Sequence, residues 1–253
     1  MNHLAKKIEL VMAVCLIIAA FFLARQSAAY VSSEKVTPDH TQQNSNTQNK
    51  NKGNTVCIVI DPGHGGFDPG KVGVNKALEK DINLAIALQL KETLSCEESI
   101  SVVMTRDSDI SLSDDNVKNM KVSDMQNRCE RITEANPLFT VSIHQNSYTT
   151  SDIKGAQVFY YGQSTEGKKL ADTMQNSLIA NLDPSNKRMA KANESYYLLK
   201  KTPTPTIIVE CGFLSNPIEA DLLLDADYQS KIVNAIYLGI LDYLKAEQLL
   251  PVT

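Results

Sequence analysis

The sequence predicts an α/β fold: three layers, with a mostly parallel, twisted sheet flanked by helices on both faces. Two observations predict it. From Thr55 onward, short β-rich apolar runs alternate with longer stretches of helical periodicity, the order expected of a parallel sheet between helical layers. The first run, Thr55-Val56-Cys57-Ile58-Val59-Ile60, is almost continuously apolar, as in a strand buried on both faces. At 253 residues the chain has room for one domain of roughly 200 residues with a sizeable core, plus flanking segments.

Residues 1–30 read as an export segment. Lys6 and Lys7 precede an almost wholly apolar stretch from Leu10 to Ala24, and Ser27-Ala28-Ala29 supplies small residues suited to cleavage. An apolar core of about 15 residues is short for a membrane span, which takes roughly 20, so a cleaved signal and an uncleaved membrane anchor are both open readings. In either case the positive end stays inside and the rest is exported. Residues 31–54, rich in Asn, Gln, Ser, Thr and Lys, bury too little apolar surface to fold and read as a polar tether. Residues 55–253 are the expected folded domain.

Within that domain the first strand runs into Asp61-Pro62-Gly63-His64-Gly65-Gly66, whose glycines and proline forbid continuation of the strand. His64 is left at the strand's carboxyl end, where open α/β sheets bind ligands. Glu79 to Ser95 has Ile82, Ile86 and Leu90 near helical spacing. Ile100 to Thr105 is a short strand followed by Arg106 and Asp107. Val122, Met125, Cys129 and Ile132 mark a helix ending near Asn136-Pro137. Leu138 to Ile143 is the next strand, and His144-Gln145-Asn146 follows it. Gly155 to Tyr161 reads as a strand and Thr165 to Ala180 as a helix. Tyr196 to Leu199 and Thr206 to Val209 read as two further strands, the second ending in Glu210. A long closing helix carries Tyr228, Ile232, Ala235, Gly239 and Tyr243 near one face.

Several function classes are excluded. A net charge of −4 without a basic block gives no electrostatic footprint for nucleic acid. The five cysteines form no C-x-x-C pair; Cys57 and Cys129 read as buried free thiols, although one disulfide stays open. There is no G-x-S-x-G elbow, P-loop, dinucleotide fingerprint or H-E-x-x-H helix.

Of the four histidines, only His64 and His144 lie in the folded part, each just after a β-rich run. Converging at one sheet edge, they would suit a metal ion, since neutral imidazole is its commonest ligand. With no cysteine beside either, a third ligand should be a carboxylate, and Glu79 and Glu210 are the candidates. Glu79 reads equally as a complement to a helix dipole, and Glu210 as a capping or surface carboxylate. Arg106 reads either as a structural ion-pair partner or as a substrate-binding cation, and Asn146 as a ligand-orienting group or a turn cap.

Taken together, six segments resemble the zinc-dependent N-acetylmuramoyl-L-alanine amidases of the type 3 family. They are Ile60-Asp61-Pro62-Gly63-His64-Gly65-Gly66, Leu78-Glu79-Lys80-Asp81-Ile82-Asn83-Leu84, Thr105-Arg106, Ala135-Asn136, Ser142-Ile143-His144-Gln145-Asn146 and Glu210-Cys211-Gly212-Phe213-Leu214-Ser215-Asn216. The resemblance implies Zn²⁺ held by His64, Glu79 and His144, with Glu210 as the catalytic glutamate. It implies a peptidoglycan substrate, with Asn146 and Arg106 as candidate substrate contacts. Two His and one Glu would leave the fourth zinc position for water, the pattern of a catalytic site. The short architecture is similar to the spore-cortex members, which implies action at the outer membrane face or in the cell wall and cortex space, with an accessory protein as a further partner to consider. Some members carry a long plug after the second histidine motif; the short distance from Asn146 to Gly155 leaves no room for one. Two rival readings are a zinc peptidase acting within the stem peptide and a wall-binding protein with an idle site.

Overall fold

Residues 55–249 are described in the computed structural model; the expected export segment (1–30) and tether (31–54) lie outside the described residues. Strands β1 (Val56–Pro62), β2 (Ile100–Met104), β3 (Phe139–Asn146), β4 (Gln157–Tyr160), β5 (Lys191–Ala192) and β6 (Thr206–Phe213) form one sheet in the order β2-β1-β3-β6-β4-β5. β1 pairs in parallel with β2 and β3, β3 with β6, and β4 with β5; only β4 and β6 are antiparallel. The sheet is therefore mixed but mostly parallel.

The helices are α1 (Glu79–Leu94), α2 (Met120–Ala135), α3 (Thr165–Asn181), α4 (Tyr197–Lys201), α5 (Pro217–Leu222) and α6 (Ala226–Ala246). Side chains of β1 alternate between the two faces of the sheet, as the period of a strand requires. Ile58 and Ile60 join the large core with Ile86 and Leu90 of α1, Met174 of α3 and Ile236 of α6. Val59 turns to the opposite face, where it meets Ile132 of α2 and Leu198 of α4. Asn119, Ser164, Asn216 and Asp225 cap α2, α3, α5 and α6 through their side chains, each accepting backbone N–H groups of the first turn.

Two expectations are corrected. Tyr196 to Leu199 is not a strand: Asn193 Oδ1 accepts from the N–H groups of Ser195 and Tyr196, and this turn leads into α4. The apolar Leu198 and Leu199 then cover the sheet from above instead of joining it. The strand holding Glu210 also continues to Phe213, so the glutamate lies within β6, opposite His144 of β3. The connection from β3 to β4 is short and pinned: Asn216 Nδ2 donates to Ser151 O, and Glu219 accepts from Gly155 N–H at 2.9 Å.

Candidate metal centre

The loop after β1 turns sharply, and His64 sits in the left-handed region at φ 61°. Two buried guanidiniums hold it there. Arg128 of α2 donates to the carbonyls of Pro62 and His64, and Arg106 donates to those of Pro62 and Gly63. Asp61, at the end of β1, anchors this arrangement. It accepts from Arg128 at 2.7 Å and from the hydroxyls of Thr105 and Ser142, both at 2.6 Å. Burial works to raise the Asp61 carboxyl, but Arg128 and the two hydroxyls outweigh it and bring it down to about 2. Gly63 is required by close approach, since a Cβ there would lie 2.2 Å from the His144 ring.

His64, Glu79 and His144 converge. Each offers one ligand atom, and these atoms lie within 4.8 Å of one another. Glu79 Oε2 is 3.2 Å from His64 Nε2, and Glu79 Oε1 is 2.9 Å from His144 Nδ1. The carboxylate is buried at the start of α1 and also accepts backbone N–H groups, Lys71 at 2.7 Å and Gln145 at 3.1 Å. Burial works to raise it, yet the hydrogen bonds and charges of His144 and His64 hold it well below the usual carboxylate range. Glu79 thus faces the histidines as well as opening a helix. The donor set, two imidazole nitrogens and a carboxylate oxygen, fits a divalent first-row cation.

Glu210 shares the cleft with these residues, a space of about 560 Å³ also lined by Asn146, Tyr196 and Lys71. Its Oε2 is buried without a hydrogen-bond partner among the described residues. Burial pushes its carboxyl up to about 7, with Glu79 adding to the rise and His144, His64 and Lys71 opposing it. An orphaned carboxylate beside three potential ligands fits a group that acts on something bound there.

Arg106 is placed differently from the substrate contact expected of it. It is buried, and its donors go to the carbonyls of Pro62, Gly63, Lys80 and Ser108, so it braces the loop from behind. Asn146 does line the cleft, although its Oδ1 accepts from the N–H of Ser147. Cys57 and Cys129 are free and only half-buried, whereas Cys211 beside Glu210 is fully buried. Three positions at the site escaped the sequence reading. Asp68 Oδ2 lies 2.9 Å from His64 Nδ1, an outer partner that orients the ring. Arg128 and Lys71 are the others. Asp68 had one visible signal, its place four residues after His64 in the same glycine-rich loop; Arg128 had none.

Comparison with known proteins gives the family. A family model described as N-acetylmuramoyl-L-alanine amidase matches residues 58–242. The germination-specific N-acetylmuramoyl-L-alanine amidase of Bacillus subtilis is 40% identical over 189 residues, which are 74% of this chain and 78% of that protein. Among solved structures, the CwlD amidase from Clostridioides difficile in complex with the GerS lipoprotein matches with a TM-score of 0.73 at 40% identity, covering 76% of this chain and 100% of that one. An N-acetylmuramoyl-L-alanine amidase from Clostridium difficile 630 matches with a TM-score of 0.68 at 30% identity, covering 76% of this chain and 98% of that one.

Proposed function

Since this chain belongs to the N-acetylmuramoyl-L-alanine amidase family, hydrolases of the amide between N-acetylmuramic acid and L-alanine in peptidoglycan, we propose that it performs this cleavage with Zn²⁺ held by His64, Glu79 and His144 and with Glu210 as general base. The observation that carries the reading is the orphaned Glu210 carboxylate in the same cleft as three mutually close ligand atoms. The ion would polarise the scissile carbonyl and lower the pKa of a water toward ~7. Glu210 accepts the proton of the attacking water and passes it to the leaving amine of L-alanine. Its raised pKa suits both halves of that task near neutral pH, and a bound cation's charge would draw it lower. Asp68 fixes the ring of His64, and Asn146, part of the cleft lining, contacts substrate in this reading.

The setting follows from the same relatives. Identity to a germination-specific amidase supports a role in spore-cortex maturation. The relative solved with a lipoprotein supports an accessory lipoprotein as a partner here too. Export through residues 1–30, with the domain at the outer membrane face or in the wall and cortex space, completes the reading.

The test is product analysis. Purified peptidoglycan is digested with the Zn²⁺-loaded protein, alone and with a candidate accessory lipoprotein. New L-alanine amino termini and intact stem peptides released from glycan are expected. Cuts inside the stem peptide would replace the reading with a peptidase, and no cuts in either arm would leave a binding protein.

A further inference from the structure

Three cationic side chains line the cleft: Lys71, Lys121 and Arg128. Two are committed. Arg128 is buried against Asp61 and Asp124, and Lys121 pairs with Asp68 at 3.0 Å. Lys71 is exposed and has no ion-pair partner among the described residues. Its position is nevertheless fixed, because its backbone N–H donates to Glu79 Oε2 at 2.7 Å. The stem of this side chain therefore starts beside the reacting centre, and its charge bears on Glu210. A cation there awaits an anion from the ligand.

The substrate offers one at the right distance. On the sugar side the lactyl carboxyl is consumed in the scissile amide, so the muramoyl group carries no charge near the bond. On the peptide side, a second-position D-glutamate linked through its γ-carboxyl leaves its α-carboxylate free. That group lies one residue beyond the leaving nitrogen, roughly 3.5 Å of chain per residue, within the reach of a flexible four-carbon ammonium stem. Amidation of the same carboxyl, giving isoglutamine, removes the charge without changing the shape.

Resting on the amidase reading above, we propose that Lys71 is a specificity residue that receives the α-carboxylate of the stem peptide's second residue and selects acid over carboxamide at that position. Its ammonium is exposed, so the preference is modest, about fivefold in kcat/KM, and it weakens with added salt.

The experiment uses the Zn²⁺-loaded full chain, alone and with the candidate accessory lipoprotein, and short glycan strands bearing either L-Ala-D-Glu or L-Ala-D-isoglutamine with the γ-carboxyl capped as its methylamide. The cap stands in for the γ-link to the third residue, so the α-carboxylate is the only free acid of the first stem and the second stem has none. Wild type is expected to favour the acid about fivefold, chiefly through KM. Lys71→Met is expected to bring the acid-to-amide ratio to about one, and Lys71→Arg to preserve it. Zinc content and thermal midpoint report whether each variant is folded and loaded; should Lys71→Met fail there, wild type with the arginine variant and the salt series decides. Equal cleavage of both substrates by wild type, or a ratio that survives Lys71→Met, overturns the assignment and leaves the amidase reading standing. Cleavage of neither by wild type, with and without the accessory lipoprotein, overturns both.

Discussion

Two neighbouring regions of this protein bury a carboxylate in opposite ways. In the loop after β1, Asp61 is 1% exposed; on the wall formed by β3 and β6, Glu210 is 7% exposed. Asp61 accepts from two hydroxyls and a guanidinium, and its pKa falls to about 2. Glu210 has an oxygen with no partner, and its pKa rises to about 7. Burial is nearly the same, so the neighbours decide the outcome: the Arg128 charge and two hydroxyl hydrogen bonds pull Asp61 down, while the Glu79 carboxylate adds to the rise at Glu210. Asp61, partnered on every side by the fold, is scaffold, and Glu210, unsatisfied in a cleft, fits a group that moves a proton.

The sharpest way to break this contrast is Glu210→Gln. It should lower kcat by about a thousandfold while bound zinc, measured by elemental analysis, stays at wild-type stoichiometry. A loss below tenfold would move the base elsewhere. Arg128→Met tests the other region. Leaving Asp61 buried and unpaired should cost about 3–5 kcal/mol of unfolding free energy in a denaturant titration, and a cost under about 1 kcal/mol would make the brace ornamental. The pH dependence of stability comes next. The Asp61 pKa is depressed in the folded state, so its contribution is present above the unfolded value near 4 and is lost as pH falls through about 2. Melts between pH 5 and pH 2 should show a loss of which Asp61→Asn removes about 2 kcal/mol. The smallest effect is expected at Asp68→Asn, which leaves all three ligands in place. It should weaken zinc about tenfold in competition with a chromophoric chelator; unchanged affinity would reduce Asp68 to a surface partner of Lys121.

What was legible in the sequence follows from range. The buried strands announced themselves because continuous apolar runs such as Val56–Ile60 need only local patterning to be read. The turn into α4 did not: Tyr-Leu-Leu has strand-like composition, and its helical turn is set by the Asn193 side chain. β5, only Lys191 and Ala192, gave nothing to read. At the site, His64 and His144 stood out by scarcity, and the motifs around Glu79 and Glu210 carried the family likeness. Arg128 stayed hidden because its partner Asp61 lies 67 positions away, and a charged residue on an amphipathic helix looks solvated until the fold closes over it. Arg106 was singled out with a structural and a substrate-binding reading both open, since a strand-end arginine points toward substrate or toward backbone according to contacts no local pattern encodes.

The loop after β1 has almost no spare bonding capacity. Its carbonyls from Pro62 to His64 are taken by arginines, and the N–H groups of Gly63, Gly65 and Gly66 go to Ile143, Asp68 and Asp109. Such a segment works as a fixed anvil. A ligand entering the cleft would meet this loop as a rigid wall, with the exposed Tyr197 of α4 lining the same space. Whatever binds there would have to fit itself to the loop, since the loop has few free bonds with which to adjust.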